Sequence, residues 1–158
     1  MAIRYSDVQI DDLMKEKKLC GTKLSAGVEL RPKRGHKEGD LDLQGTNGNR
    51  FRLIVRQSEW NPLDFSVILT YCPEKTNRLF RLRRYNGKSH EHTNSIESNS
   101  FYDFYVHMAT ERYQAMGARE DAYAQPSTRF TDLYSAIECM RTECAAEPPK
   151  DPQLKLFN

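Results

Sequence analysis

Phe51-Arg52-Leu53-Ile54-Val55-Arg56, followed after a break by Phe65-Ser66-Val67-Ile68-Leu69-Thr70-Tyr71, decides the fold. In the first run Phe51, Leu53 and Val55 alternate with Arg50, Arg52 and Arg56, the period-two pattern of a strand with one buried face. The second run is almost continuously apolar, as a central strand is. Asn61-Pro62 separates them, because proline has no amide for a ladder. Upstream, Leu41-Asp42-Leu43-Gln44 alternates and Gly45-Thr46-Asn47-Gly48-Asn49 is a turn cluster. Downstream, residues 73–77 turn into Leu79-Phe80-Arg81-Leu82-Arg83-Arg84-Tyr85, and Asn86-Gly87 turns again. The aromatic stretch 101–113 reads as one further strand.

Helices flank this meander. Ser6-Asp7-Val8-Gln9 has the spacing of a capping box, Ile10, Leu13 and Met14 form an apolar stripe, and Gly21 is a natural stop, which predicts a helix over 7–20. Thr131 can cap a last helix in which Leu133, Ala136, Ile137, Met140 and Cys144 share a face. The fold class is therefore α+β, an antiparallel meandering sheet flanked by N- and C-terminal helices. Residues 24–40, rich in glycine and carrying Arg31, Lys33, Arg34 and Lys37, read as a basic loop.

With 158 residues, 38% of them hydrophobic and 29% charged, one domain over 1–146 is expected, followed by an extended tail over 147–158. No apolar run is long enough to cross a bilayer, and Met1-Ala2-Ile3-Arg4 lacks the layout of a signal peptide, so a cytoplasmic protein without a membrane partner is expected. Cys20, Cys72, Cys139 and Cys144 form no Cys-x-x-Cys pair and read as free thiols. A formal net charge of +2 excludes histone-like wrapping, so contacts to nucleic acid must come from local clusters. Two are present: Arg31, Lys33, Arg34 and Lys37, and the sheet face carrying Arg50, Arg52 and Arg56 together with Arg81 and Arg83. Guanidinium groups stacked on one face need phosphates, or carboxylates from adjacent elements.

Chemistry concentrates at Ser89-His90-Glu91-His92-Thr93-Asn94 and at His107. An imidazole near neutrality can take and give a proton, so His90, His92 and His107 can supply acid and base for phosphodiester cleavage, with Arg83 or Arg81 stabilising charge on the phosphorus oxygens. RNA brings its own nucleophile, the 2′-hydroxyl, and no metal is then required. Metal ligation by His90 and His92 with His107, Glu91 or Glu97 lacks a dedicated spacing, and no cofactor is expected. The alternative is an ordered polar turn in which His90 and Asn94 satisfy backbone groups.

Arg81-Leu82-Arg83, the turn from His90 to Asn94, and Phe104-Tyr105-Val106-His107-Met108-Ala109-Thr110-Glu111-Arg112-Tyr113 resemble a family of uncharacterised bacterial proteins with a His-x-x-x-Asn turn. The layout also looks like that of TumE-type toxins, though without their His-His-Pro run; that resemblance implies a toxin-type ribonuclease. At the other end of the chain, Gln153-Leu154-Lys155-Leu156-Phe157 follows Pro148, Pro149 and Pro152. This pentapeptide resembles the motif by which bacterial polymerases and repair proteins dock on the DNA sliding clamp. The resemblance implies a clamp partner, with Gln153 in a polar subsite and Leu154, Leu156 and Phe157 in an apolar pocket, and a role in replication, repair or interference with them.

Overall fold

The structure, a computed structural model, describes residues 4–20 and 30–146. The tail bearing Gln153, Leu154, Leu156 and Phe157 lies outside the described residues, as do the proline-rich segment before it and the start of the expected basic loop. In chain order the elements are α1 (Asp7–Lys15), β1 (Lys18–Cys20), β2 (Arg31–Lys33), β3 (His36–Gly45), β4 (Arg50–Ser58), β5 (Phe65–Cys72), β6 (Phe80–Asn86), β7 (His92–Asn94), β8 (Asn99–Phe101), β9 (Tyr105–Met108), α2 (Glu111–Ala115), β10 (Tyr123–Pro126) and α3 (Leu133–Glu143).

The α+β expectation holds. One antiparallel sheet runs β1-β3-β4-β5-β6-β9-β10, with β2 hairpinned onto β3, and β7 and β8 form a separate two-stranded ribbon. Alternation divides the sheet as the sequence requires. Phe51, Leu53, Val55, Val67, Leu69, Leu82, Tyr85 and Val106 form the core with Ile10, Leu13 and Met14 of α1 and Ala136, Ile137 and Met140 of α3. On the opposite face Arg52 meets Asp42 at 3.0 Å and Arg56 meets Glu38, each directly across the β3–β4 ladder. These arginines therefore find carboxylates on the neighbouring strand.

Several boundaries differ from the sequence expectation. Helix α1 stops at Lys15 rather than running to residue 20, because the apolar stripe ends at Met14 and Glu16 caps it with an extended ψ of 127°. The segment from Arg31 onward is a hairpin, not a loop, with Gly35 at φ +78° supplying its tight turn. The stretch 101–113 divides: β9 ends at Met108, then Thr110 Oγ1 accepts from Tyr113 N at 3.2 Å and starts α2. A threonine followed by Glu111-Arg112-Tyr113 was the local signal for that helix. Asp132, not Thr131, caps α3, its carboxylate accepting from Ser135 N at 2.7 Å.

The helices are tied to the sheet by two buried charges. Glu16 accepts from Asn47 N at 3.0 Å and from Asn49 Nδ2 at 2.6 Å, fixing the β3–β4 turn. A Cβ on Gly45 would lie 1.8 Å from its Oε2, so any side chain there displaces this carboxylate from the turn. Lys18, fully buried, donates to the carbonyls of Leu13, Met14, Glu16 and Cys144 at 2.7–3.1 Å. It thereby satisfies orphan carbonyls at the C-terminal ends of both α1 and α3.

Candidate active site

The bond pattern of β6 sets up the site. A register shift between Leu69 and Thr70 places Arg83 opposite Leu69 and Arg81 opposite Thr70, leaving Leu82 as an extra residue. Strict alternation would put Arg81 and Arg83 on one face; the bulge separates them. Arg83 turns toward α3, where it lies 3.7 Å from Glu143, which also accepts from the Tyr85 hydroxyl at 2.7 Å. Arg81 and Arg84 share the outer face, and Arg84 pairs across the ladder with His107 of β9.

Around these two residues a cleft of about 210 Å³ is lined by Arg84, His92, Thr93, Ser95, His107, Tyr113, Arg119 and Ala122. The β7–β8 ribbon forms one wall. His92 stacks on Tyr105, with centroids 5.4 Å apart, and meets His107 edge to face at 4.9 Å. Asn94 anchors the ribbon to the free edge of β10: its Oδ1 accepts from Ala124 N at 2.9 Å, and its Nδ2 donates to Ala124 O at 2.8 Å. A backbone N–H can only donate, so the orientation of this carboxamide is fixed. His92 Nε2 lies 2.8 Å from the same Oδ1 and must therefore carry a proton. In the neutral imidazole Nδ1 is then the free base.

The opposite wall is cationic. Asp121, with no exposed surface, lies 3.2 Å from Arg84 Nε, 3.5 Å from Arg81 Nε and 3.6 Å from Arg119 Nε. Arg81 also holds Glu120 at 3.1 Å. Three guanidinium groups thus surround two carboxylates. Among the described residues, neither oxygen of Asp121 closes a hydrogen bond, nor do Arg81 Nε, Arg84 Nε or His107 Nδ1. The Asp121 carboxylate is instead balanced by its three ion pairs, which hold Arg84 and Arg119 at the cleft wall.

His107 is kept neutral. Burial, with the positive charge of Arg84 next in weight, pushes its pKa from 6.5 down to about 3. Between those values the unfolded chain binds a proton that the folded protein does not, so stability falls as pH drops through that window. The slope from this residue is at most about 1.4 kcal/mol per pH unit. Urea denaturation of wild type and His107→Gln at successive pH values is expected to show wild-type stability falling more steeply than the variant's as pH drops below 6.5. Parallel curves would contradict it.

The expected site residues are thus partly brought together. His92 and His107 converge; His90 is exposed on the turn and is not among the cleft residues, and Arg83 faces the other side of the sheet. Arg81 is drawn into the Glu120 and Asp121 network. Arg31, Lys33, Arg34 and Lys37 lie on the β2–β3 hairpin and Arg50 and Arg52 on β4, away from the cleft residues. Glu97 is engaged by Arg112 at 2.9 Å and by the Tyr113 hydroxyl at 2.6 Å. Among the described residues, no three histidine, cysteine, aspartate or glutamate side chains are placed to hold a metal ion. No described helix is long and apolar enough to cross a membrane.

Sequence reasoning missed Arg84, Arg119 and Asp121. The Arg83-Arg84 doublet was a signal, since adjacent strand residues face opposite ways, and so was the charged run Arg119-Glu120-Asp121 just ahead of a strand. No protein-family model, curated protein or solved structure matches this chain.

Proposed function

We propose that the domain is a metal-independent ribonuclease of toxin type acting at the His92–His107 cleft. The observation that carries this reading is the fixed tautomer of His92, which leaves Nδ1 as the basic nitrogen of a residue lining one cleft with Arg84, Arg119 and His107. His92 Nδ1 takes the proton of the 2′-hydroxyl, whose oxygen attacks the adjacent phosphorus. Arg84 and Arg119 stabilise the charge that builds on the non-bridging oxygens. The same imidazole returns its proton to the departing 5′-oxygen, leaving a 2′,3′-cyclic phosphate and a 5′-hydroxyl. His107 is neutral and packs edge to face against His92, so it adds no positive charge beside the base. Incubation of purified protein with a single-stranded RNA in the presence of a chelator tests the reading. Cleavage of RNA and not of the same DNA sequence is expected; loss of cleavage on chelation would contradict it.

A second, compatible role rests on Gln153-Leu154-Lys155-Leu156-Phe157. We propose that this segment docks the protein on the bacterial DNA sliding clamp, with Leu154, Leu156 and Phe157 as apolar anchors and Gln153 as the polar one. Anchors of this kind carry most of the free energy of short-peptide recognition. Calorimetric titration of purified clamp is expected to give binding by wild type and none by Leu156→Ala with Phe157→Ala, while RNA cleavage is unchanged. Equal heats from both proteins would sink the clamp reading alone.

A further inference from the structure

Trp60, the only tryptophan of the chain, is 79% exposed on the β4–β5 loop. The loop that carries it is held firmly. Glu59 N donates to Gly35 O at 3.1 Å, Trp60 N and Asn61 N both donate to Ser58 Oγ at 3.1 Å, and Leu63 N donates to Asn61 Oδ1 at 3.0 Å. The benzene end of the indole lies against Gly35, where a Cβ would come within 2.7 Å of Trp60 Cζ3. A large aromatic ring is thus fixed in place by polar bonds and a glycine, yet contributes little to the core.

Its surroundings are cationic. Arg31, Lys33, Arg34 and Lys37 are exposed on the β2–β3 hairpin, and Arg56 follows on β4. Glu38 takes both Lys33 and Arg56. Arg34 and Lys37 stay exposed to solvent outside these ion pairs, so the hairpin presents positive charge beside the indole.

We infer that Trp60 and the β2–β3 hairpin form a platform for single-stranded nucleic acid, with a base stacked on the indole and the backbone phosphates on the hairpin cations. A preorganised aromatic face beside basic side chains is the arrangement that grips unpaired bases, since every base offers a π-face and every linkage a phosphate. Duplex ends and grooves offer few free base faces, which selects the single strand. This inference rests on the reading of the chain as acting on single-stranded RNA, and it gives that substrate a holding site apart from the cleft.

The test uses a short single-stranded oligodeoxyadenylate, which cannot be cleaved through a 2′-hydroxyl. Titration into the full chain is expected to quench the tryptophan fluorescence saturably. By anisotropy of a labelled oligonucleotide, Trp60→Ala is expected to bind roughly tenfold more weakly and Trp60→Phe within a few-fold of wild type. Arg34→Gln with Lys37→Gln is expected to flatten the salt dependence. Absence of quenching, equal affinity of Trp60→Ala and wild type, or equal quenching by duplex would overturn the platform and assign the exposed indole to a protein partner. Quenching by a protein that cleaves no RNA would keep the platform and discard the ribonuclease, and cleavage without quenching would do the reverse.

Discussion

Lys18→Met is expected to destabilise the protein by about 3–5 kcal/mol, the cost of removing one member of a buried charged network and leaving the rest unsatisfied. The ammonium of Lys18 is the shared ligand of four carbonyls from the ends of α1 and α3. Its charge also lies 4.5 Å from the centroid of Phe51. Burial pushes its pKa down to about 8, which still leaves it mainly protonated at neutral pH. Methionine fills similar volume but donates nothing, so carbonyls at two helix ends lose their partner in a dry environment. A fall of about 10 °C in Tm is the corresponding result by calorimetry. Lys15→Met, at a solvated position paired with Asp11 on the same helix, is the control and is expected to shift Tm by little. Equal small shifts from both would mean that the carbonyls find other donors.

His92→Ala is expected to reduce RNA cleavage by about 10²–10⁴-fold, the usual contribution of a positioned acid–base group. Asn94→Asp is a sharper probe of the same mechanism. A carboxylate can no longer donate to Ala124 O, and its charge beside Nε2 favours imidazolium over the free base. The variant is expected to lower RNA cleavage by at least about tenfold, because the ribbon loses its bond to Ala124 O and the imidazole its neutral acceptor. His90→Ala is expected to keep activity within a few-fold, since His90 is exposed and off the cleft. Thermal melts of each variant separate lost chemistry from lost folding.

The strand pattern from Phe51 to Tyr85 was legible because alternation and turn residues act locally, and the resulting sheet places Phe51, Leu53, Val55, Val67 and Leu69 together as that pattern requires. The site was legible only in part. His92 and His107 are far apart in sequence and meet because the β7–β8 ribbon folds back over β9, held by Asn94 on the β10 edge. Nothing in the spacing of the histidines encodes that return. Arg84 replaced Arg83 because one bulged residue reverses which side of β6 each arginine occupies. Asp121 was invisible since its importance lies in burial among three arginines brought from β6 and the loop before β10.

Mass spectrometry of the fragments left by wild type and His92→Ala on one defined RNA strand tests the central claim most directly. A 2′,3′-cyclic phosphate on the 5′ fragment from wild type, absent with His92→Ala, is the predicted result. Fragments bearing a 5′-phosphate, intact RNA with wild type, or the same cyclic product at an equal rate from His92→Ala would contradict it.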